Sequence, residues 1–599
     1  MNKPTRIHRR DVLRGAALAG GGVALANMFP AWAQPTSAGI VRPQPTLSGT
    51  DIALKIGHRM MTVDGRPSHA IGINGTVPAP LIRLKQGTTV RLSVTNDLDE
   101  DSSLHWHGLL VPFQYDGVPG VSFPGIKPKS TFVYEFPIVQ AGTYWYHSHS
   151  GLQEQMGLYG PIVIDPAEPD PVQSDREHVI LLSDHSPLHP HAIFKKLKQQ
   201  PGYFNYQRQT LGGLLSGKDQ PLKERMAWGG MRMDPADISD VTGSTYSYLV
   251  NGYGPQDNWT ALFKPGERVR LRVINASAMT IFNVRIPGLA LTVVQADGLN
   301  VRPVEVDEFQ IAVAETYDVI VTPTEDRAYT LVGEAVDRSG MARATLAPRE
   351  GMIAPVPPLR KRPLATMTDM GMGSMGGGHD MSGMQGMDHT AMGHDMAGMD
   401  MADMNKSTPK MDHGSMKMRD GSNAPQVRMG PGVQTISPMP VDRTGEPGQG
   451  LDDVGHRVLV YRDLMALERN PDVRAPDRAM DIHLTANMER YMWSFDGVKM
   501  SDTREPIPFI ENERVRVTLI NDTMMSHPIH LHGHFFELVT GHGDYAPRKH
   551  TVNVAPGGKV SFDLTTDALG DWAFHCHMLY HMHGGMMRVV SVRPRKADA

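Results

Sequence analysis

An alternating pattern that is typical of β-strands occurs three times along this chain of 599 residues. Apolar and polar side chains alternate in each copy up to a closing asparagine, and the copies occupy residues 86–96, 265–275 and 512–521. Such alternation predicts a half-buried strand. A turn dipeptide containing glycine, which tolerates positive φ, precedes each copy at residues 74–75, 251–252 and 496–497. Three copies of one β unit predict an all-β chain of sandwich or barrel units.

The chain is long enough for several such units. We place them at residues 45–168, 175–350 and 451–595. The stretch between the second and third units, residues 351–450, is rich in Met, His, Gly and Asp and poor in β-branched and aromatic residues. Because it holds too little apolar surface to offset the entropy of ordering, we expect a disordered linker.

Methionines recur every few residues in this linker, with histidines between them. Thioether sulfur is a soft ligand that suits Cu(I), and Met-x-x-Met spacing lets neighbouring sulfurs reach one ion. The alternative is a flexible low-complexity linker that binds nothing. We favour Cu(I) binding, and the candidate ligands are Met381, Met384, Met387, His389, Met392, His394, Met396 and Met399.

The N-terminus has the features of an export signal. Arg9 and Arg10 precede an apolar, Gly/Ala-rich run over residues 15–29, and a small-x-small cleavage motif follows at residues 31–33. This arrangement resembles a twin-arginine signal peptide. We therefore expect removal of residues 1–33 and export of the mature protein to the periplasm. A membrane anchor is the alternative, but the run is shorter than the ~20 apolar residues that a membrane span needs.

Composition limits the partners of the chain. The formal net charge is −5 at pH 7, and removal of residues 1–33 would take away more basic than acidic side chains. We therefore expect no nucleic-acid partner. The single cysteine allows no internal disulfide, and we expect no stable membrane anchor in the mature protein.

Four His-x-His pairs are the main candidates for metal ligands. They are His105/His107, His147/His149, His530/His532 and His575/His577. On a strand, residues i and i+2 share a face with Cα atoms roughly 6.5 to 7 Å apart. Two pairs lie in the first unit and two in the third, so we expect a metal cluster between these units, with the middle unit as a spacer. One pair alone is more often structural, but four pairs of equal spacing favour a metal cluster.

The only cysteine, Cys576, lies between the two histidines of the last pair. On a strand its sulfur faces away from them and can join a second site. His581 and Met586 follow, and His527 precedes the third pair. One Cys, two His and a weak Met form the ligand set of a blue-copper site. Zinc also takes His and Cys, but the combined set does not form a closed tetrahedral zinc site, so copper fits better.

In chain order, the motifs His-x-His-Gly, His-x-His, His-Pro-x-His-x-His-Gly and His-Cys-His-x₃-His-x₄-Met resemble the four signature motifs of the multicopper oxidases. Within that family the layout is most similar to the periplasmic copper-resistance oxidases. The resemblance implies three cupredoxin-like Greek-key domains and four copper ions. The implied ligands are His527, Cys576, His581 and Met586 for type 1 copper, His105 and His530 for type 2, and His107, His147, His149, His532, His575 and His577 for the binuclear type 3 pair.

The same resemblance implies the reaction. Single electrons taken from a substrate at the type 1 site pass through Cys576 to His575 and His577, and dioxygen is reduced to water. Asp116 matches a position where the family often carries an acid near the cluster, and we expect it to donate protons. An Asp-Gly turn is its alternative role.

The substrate is the least determined feature. Met524, Met525 and Met578 lie close to the type 1 motifs in the sequence. Their thioether sulfurs are soft ligands that would lead Cu(I) to the type 1 copper, which favours Cu(I) as electron donor. Phenols, as in laccases, and copper sequestration without a catalytic role are the alternatives. Met582 stands where some relatives with cuprous oxidase activity carry an acid. We expect a monomer.

Other histidines lack the pair pattern. We expect exposed loops for His185, His189, His191, His542 and His550.

Overall fold

The computed structural model describes residues 39–372, 418–503 and 505–595. The predicted export signal and the predicted Cu(I) ligands between Met381 and Met399 lie outside these residues. Within them, no helix is both long enough and apolar enough to cross a membrane. Strands predominate, so the prediction of an all-β chain is confirmed.

The first β unit forms two sheets. Its strands are β1 (Thr46–Ser48), β2 (Asp51–Val63), β3 (Arg66–Ile73), β4 (Leu81–Lys85), β5 (Thr89–Asn96), β6 (His105–His107), β7 (Thr131–Pro137), β8 (Gly142–His147) and β9 (Tyr159–Asp165). One sheet has the order β1-β4-β9-β8-β6 and the other the order β3-β2-β5-β7. The two sheets enclose a core that contains the fully buried side chains of Trp106, Tyr134 and Tyr146.

The second unit also forms two sheets. Its strands are β10 (Arg176–His185), β11 (Ser247–Val250), β12 (Trp259–Leu262), β13 (Val269–Asn275), β14 (Phe282–Arg285), β15 (Leu291–Ala296), β16 (Leu299–Val306), β17 (Glu308–Ile311), β18 (Thr316–Val321), β19 (Tyr329–Ala335) and β20 (Met341–Ala347). The sheet orders are β11-β10-β13-β18-β15-β16 and β12-β20-β19-β14-β17. The helices α1 (Pro190–Gln199), α2 (Leu211–Leu215) and α3 (Leu222–Gly230) connect β10 to β11.

The third unit repeats the arrangement. Its strands are β21 (Val441–Asp442), β22 (Arg478–Asn487), β23 (Met492–Phe495), β24 (Ile507–Ile510), β25 (Arg514–Asn521), β26 (His527–Leu531), β27 (Phe536–Leu538), β28 (Arg548–Lys549), β29 (Thr551–Val554), β30 (Gly558–Thr565), β31 (Gly570–Cys576) and β32 (Met587–Arg593). One sheet has the order β23-β22-β25-β30-β27-β28, with β21 beside β30, and the other the order β24-β32-β31-β26-β29. Helix α4 (Leu579–His583) joins β31 to β32.

The three predicted repeat strands occupy equivalent places. β5, β13 and β25 each lie parallel to one neighbour and antiparallel to another. The closing asparagines, Asn96, Asn275 and Asn521, are fully buried, and each donates hydrogen bonds from Nδ2 to two backbone carbonyls. The turn glycines preceding the strands have positive φ. The predicted internal repeat is therefore confirmed.

Strand β13 departs from the predicted half-buried pattern because all of its residues are buried. Arg270 Nη2 and Arg272 Nη1 lie 2.7 and 2.9 Å from Asp318 Oδ2. Arg272 Nη1 also donates to Thr143 Oγ1 of the first unit at 2.9 Å. Buried charges require such partners, and the ion pairs explain how a charged strand lies at the interface between the first and second units.

Removal of the shared carboxylate is expected to destabilise the protein strongly. Asp318→Ala leaves two buried guanidinium groups without this partner and should lower stability by about 3 kcal/mol. The control Asp51→Ala removes an exposed ion pair with Arg91 and should cost at most about 1 kcal/mol. Denaturant unfolding of both variants measures the difference, and equal midpoints would contradict the role given to Asp318.

The predicted disordered linker is wrong for the two ends that the structure describes, residues 351–372 and 418–450. Ile436 is fully buried and Met370 is 5% exposed. The Ser437 amide donates to Asp522 Oδ1 at 2.8 Å. These ends carry enough apolar side chains to pack against the neighbouring units, which explains the difference. The central residues of the linker, 373–417, are not among those described.

Candidate metal centres

Strand pairing brings the four predicted His pairs together. β6 pairs with β8, so that His105 lies opposite His147. β26 pairs with β31, so that His530 lies opposite His575. The first and third units meet at these strands, where the ring centroids of His107 and His530 are 3.9 Å apart. The eight imidazoles thus form one cluster between the two units.

Three groups of three histidines have ring nitrogens within 4.8 Å of one another. They are His105/His107/His530, His107/His147/His577 and His149/His532/His575. In the last group, His575 Nε2 lies 3.1 Å from His532 Nε2 and 3.4 Å from His149 Nε2. The convergence of three lone-pair nitrogens on one point is the geometry of a metal ligand set.

Several histidine ring nitrogens of the cluster are free of hydrogen bonds among the described residues and could therefore bind metal ions. Within the described residues, several buried ring nitrogens have no hydrogen-bond partner, namely His105 Nε2, His107 Nδ1, His147 Nε2, His530 Nε2 and both nitrogens of His577. Buried polar atoms in native proteins are normally paired. The opposite nitrogens of His105 and His530 donate to the backbone oxygens of Asp116 and His550, each at 2.7 Å, so the free nitrogens carry lone pairs.

Burial favours the neutral form of the His107, His532 and His575 imidazoles. It lowers the pKa of His575 to about 4, and it lowers the pKa of His107 and of His532 well below the ordinary value, with further lowering by neighbouring histidines. Neutral imidazole is the form that binds metal ions. The site is therefore ready for ligation at neutral pH.

The structure places Asp116 directly behind two of these histidines. Its Oδ2 accepts from His532 Nδ1 at 3.0 Å, and its Oδ1 lies 3.3 Å from His105 Nδ1. The carboxylate is 1% exposed. It can therefore orient both rings.

Glu154 is a second acid at the cluster, which sequence reasoning missed. Its Oε2 accepts from His147 Nδ1 at 2.7 Å, and within the described residues its buried Oε1 has no hydrogen-bond partner. Burial raises the pKa of Glu154 well above its ordinary value, and the Asp184 charge adds to this. A carboxyl group in this position can keep a proton at neutral pH. Its place after His147-Ser148-His149 was the only signal in the sequence.

The predicted second site converges on the sulfur of Cys576. His527 Nδ1 lies 3.6 Å and His581 Nδ1 3.9 Å from Sγ, and the two nitrogens are 3.3 Å apart. Met586 is fully buried, and its backbone bonds to both Cys576 and His581 at 3.1 Å. Burial raises the pKa of the Cys576 thiol, so the thiolate requires a cation for compensation.

Asp240 of the second unit orients one of these ligands. Its Oδ2 accepts from His581 Nε2 at 2.9 Å and from the Tyr491 hydroxyl at 2.7 Å. Trp493 stacks on the His581 ring at a centroid distance of 3.7 Å. Burial raises the pKa of Asp240 to about 7. The ring is held with Nδ1 directed at the sulfur, as metal-binding histidines with a carboxylate partner usually are.

Asp240→Asn is expected to weaken metal binding at the Cys576 site about 10- to 100-fold, because His581 loses its carboxylate partner. Metal content after dialysis against a chelator measures the effect. The matched control is Asp237→Asn, three residues away and partly buried. Equal metal retention by the two variants would contradict the positioning role of Asp240.

Three expectations about other parts of the site are wrong. The second unit is more than a spacer, because it supplies Asp240. His185 is 6% exposed at the end of β10, and His550 is 1% exposed, with its ring 4.8 Å from that of His107. Tertiary packing, which no local pattern indicates, buries these two rings. His189 and His191 are exposed, with His191 in helix α1 rather than in a loop, and His542 is partly exposed.

Comparisons with known proteins agree with this geometry. Family models described as multicopper oxidase match residues 55–169, 177–350 and 474–596. The chain belongs to the multicopper oxidase family. It is 48% identical over 98% of its length to copper resistance protein A of Escherichia coli, 99% of which is covered. It is 28% identical over 97% of its length to the multicopper oxidase MmcO of Mycobacterium tuberculosis, of which 96% is covered.

Solved structures agree on the fold. The laccase of Botrytis aclada matches with a TM-score of 0.61 at 21% identity, covering 92% of this chain and 88% of the laccase. A multicopper oxidase of Pseudomonas thermotolerans matches with a TM-score of 0.55 at 20% identity, covering 92% of this chain and all of that protein. The fold is therefore the cupredoxin-like fold of multicopper oxidases. As a member of this family the chain is an oxidoreductase that uses dioxygen, and its cofactor is copper, as four ions.

Proposed function

We propose that this multicopper oxidase oxidises Cu(I) to Cu(II) with dioxygen as acceptor and thereby serves copper resistance. The observation that carries the proposal is the near full-length likeness to copper resistance protein A of Escherichia coli. It is supported by a complete set of candidate ligands for both kinds of copper site. Soft sulfur side chains in the core that contains Cys576, among them Met578 and Met586, suit a Cu(I) donor.

The grouping of the histidines supports a ligand assignment. His527, Cys576, His581 and Met586 would hold the type 1 copper. His105 and His530 would hold the type 2 copper, and the groups His107/His147/His577 and His149/His532/His575 the two type 3 ions. Copper held by these residues would supply one-electron oxidation of the donor at the first site and four-electron reduction of dioxygen at the histidine cluster.

The chain itself links the two sites. Cys576 is bonded covalently to His575 and His577, so one short backbone segment runs from the sulfur to ligands of both type 3 groups. Strand β26 provides a second link, because His527 and His530 belong to the same five residues. Buried, close-packed side chains surround both links, which excludes water from the path.

Two acids supply protons in the proposal. Asp116 holds its carboxylate against His532 Nδ1, and Glu154 holds its carboxyl against His147 Nδ1. They lie against different histidines of the cluster. Reduction of dioxygen to two waters consumes four protons, so two acids next to the cluster suit the reaction.

Phenols are proposed as secondary electron donors. The chain is 25% identical over 91% of its length to laccase-2 of Thanatephorus cucumeris, of which 91% is covered.

We further propose export to the periplasm by the twin-arginine route, Cu(I) binding by the methionines and histidines of residues 381–399, and action as a monomer. The Arg9-Arg10 motif, the repeated methionines and the presence of both sites in one chain support these points.

The test is dioxygen uptake by the copper-loaded mature protein with Cu(I) and with a methoxyphenol as donors. The proposal predicts a higher kcat/KM for Cu(I). Cells that carry Cys576→Ser should also lose copper tolerance. Protection of cells by the inactive variant would instead indicate sequestration, and a preference for the phenol would indicate a laccase.

A further inference from the structure

A turn of the second unit, between β15 and β16, lies next to the residues that support the histidine cluster. Its first residue, Asp297, is fully buried and has a positive φ of 47°, which aspartate adopts more readily than most residues. Asp297 Oδ2 accepts hydrogen bonds from the backbone amides of His550 and Thr551 at 3.2 and 3.1 Å. Its Oδ1 accepts from the Thr316 amide at 3.1 Å. One carboxylate therefore connects the second unit to residues 550 and 551 of the third.

Residues 550 and 551 lie directly behind His530, a proposed ligand of the type 2 copper. The His550 backbone oxygen accepts from His530 Nδ1 at 2.7 Å. Thr551 Oγ1 lies 3.2 Å from His530 Nδ1 and 3.3 Å from His107 Nε2. The partner of one ring nitrogen fixes the orientation of a metal-binding imidazole. The direction of His530 Nε2 therefore depends on the position of these two residues, whose amides the Asp297 carboxylate holds.

A fully buried lysine adds charge to this connection. Lys549 Nζ lies 3.1 Å from Asp297 Oδ1 and 3.1 Å from Glu315 Oε1 of the second unit. Desolvation of buried ions offsets most of their attraction, so such a pair adds little net stability. It does fix the relative position of its partners, because a charge that moved away from its counter-ion would be left unpaired in the interior. Net stability alone therefore does not account for the pair.

The same turn is packed tightly against the first unit. Gly298, which follows Asp297, has a φ of 79°, and a Cβ atom there would lie 2.2 Å from Cζ of Tyr144. A Cβ atom on Gly142 would lie 2.0 Å from the Gly298 backbone oxygen. Both first-unit residues belong to β8, which ends at His147 of the cluster. The position of the turn relative to the histidine cluster is thus fixed from two sides.

We infer that Asp297 is a positioning residue for the type 2 copper, which acts on His530 through the two backbone amides that it holds. The inference rests on the proposed assignment of His530 as a ligand and goes beyond it. In that assignment the second unit contributes no ligand to the histidine cluster, yet it determines the geometry of one of the ions. Loss of the Asp297 carboxylate should therefore weaken the binding of the type 2 copper selectively.

Two variants of the full-length, copper-loaded protein test this role. Asp297→Gly removes the acceptor of both amides, and glycine tolerates the positive φ. The matched control Glu315→Ala removes the other carboxylate that pairs with Lys549, but Glu315 accepts from the Tyr461 hydroxyl instead of from those amides. Each protein is dialysed against a chelator. Copper content, the electron paramagnetic resonance signal of type 2 copper and the blue absorption of the Cys576 site are then measured.

The Asp297→Gly protein should lose the type 2 ion at least about tenfold more readily than the control, as expected when a metal ligand loses its orienting partner. Its type 2 signal should change or disappear, while its blue absorption should equal that of the control. Equal copper retention and an unchanged type 2 signal in both variants would overturn the inference. Equal loss in both variants would overturn it as well, because general destabilisation would then explain the effect.

A second variant applies if Asp297→Gly does not fold. Both oxygens of the Asp297 carboxylate accept from N–H groups, so the side chain of Asp297→Asn must direct its own NH₂ group at a donor in either orientation. This variant keeps the side-chain volume, and its type 2 signal should also change; an unchanged signal would overturn the inference. Copper retention needs no electron donor. A wild-type protein that holds four ions but does not oxidise Cu(I) would therefore refute the proposed function and leave this inference standing.

Discussion

Cys576→Ser is expected to abolish the blue absorption of the copper-loaded protein and to lower oxygen uptake with any donor at least about 1,000-fold, equivalent to about 4 kcal/mol in the rate-limiting barrier. Serine has a similar shape but lacks the soft thiolate that this site offers to copper. Because Cys576 is fully buried and pairs with no other cysteine, the fold should be retained.

Copper analysis separates this effect from unfolding. The variant should lose about one of the four ions and keep those of the histidine cluster, since that cluster uses rings on the opposite face of β31. Met341→Leu, at another fully buried position, should keep full activity and colour. A Cys576→Ser protein that remains blue or active would contradict the assignment of the type 1 site.

Asp116→Asn is expected to slow oxygen uptake about 100-fold, within the usual contribution of a positioned acid. Asparagine can still accept from His532 Nδ1, so the ring should keep its orientation and the copper content should not change. The blue absorption should persist, because the Cys576 site is separate from Asp116. Steady-state oxygen uptake and absorption spectra measure both effects.

A matched control uses an acid at the surface. Asp99→Asn removes a carboxylate whose side chain is 89% exposed and pairs only with Lys129 in the described structure. It should leave oxygen uptake unchanged. Normal turnover by Asp116→Asn would exclude Asp116 as a proton donor and leave Glu154 as the candidate.

The sequence predicted the β repeats and the histidine pairs because both depend on local spacing. Alternation in β5 and β25 follows from the two-residue period of a strand, and His-x-His pairs share a face for the same reason. The order of the motifs then indicated which pairs meet. These features needed no knowledge of which distant segments come into contact.

Other features could not be predicted, since long-range contacts create them. Asp240 contacts His581 across 341 positions of the sequence, and no motif surrounds it. His550 is buried where it meets His107 of the first unit and Asp297 of the second unit. Arg270 and Arg272 look like the polar face of an exposed strand until Asp318 is placed between them. Packing likewise brings together Met370, Met488 and Met524, which are far apart in the chain.

The central claim is that Cu(I) is the electron donor for reduction of dioxygen to water. The most direct measurement follows Cu(I) loss and dioxygen consumption together in the copper-loaded protein, with peroxide detection. If Cu(I) is the donor, four Cu(I) are oxidised for each dioxygen consumed, no peroxide is released, and Cys576→Ser has no activity. Two Cu(I) per dioxygen with peroxide release, or Cu(I) bound without oxygen consumption, would contradict it.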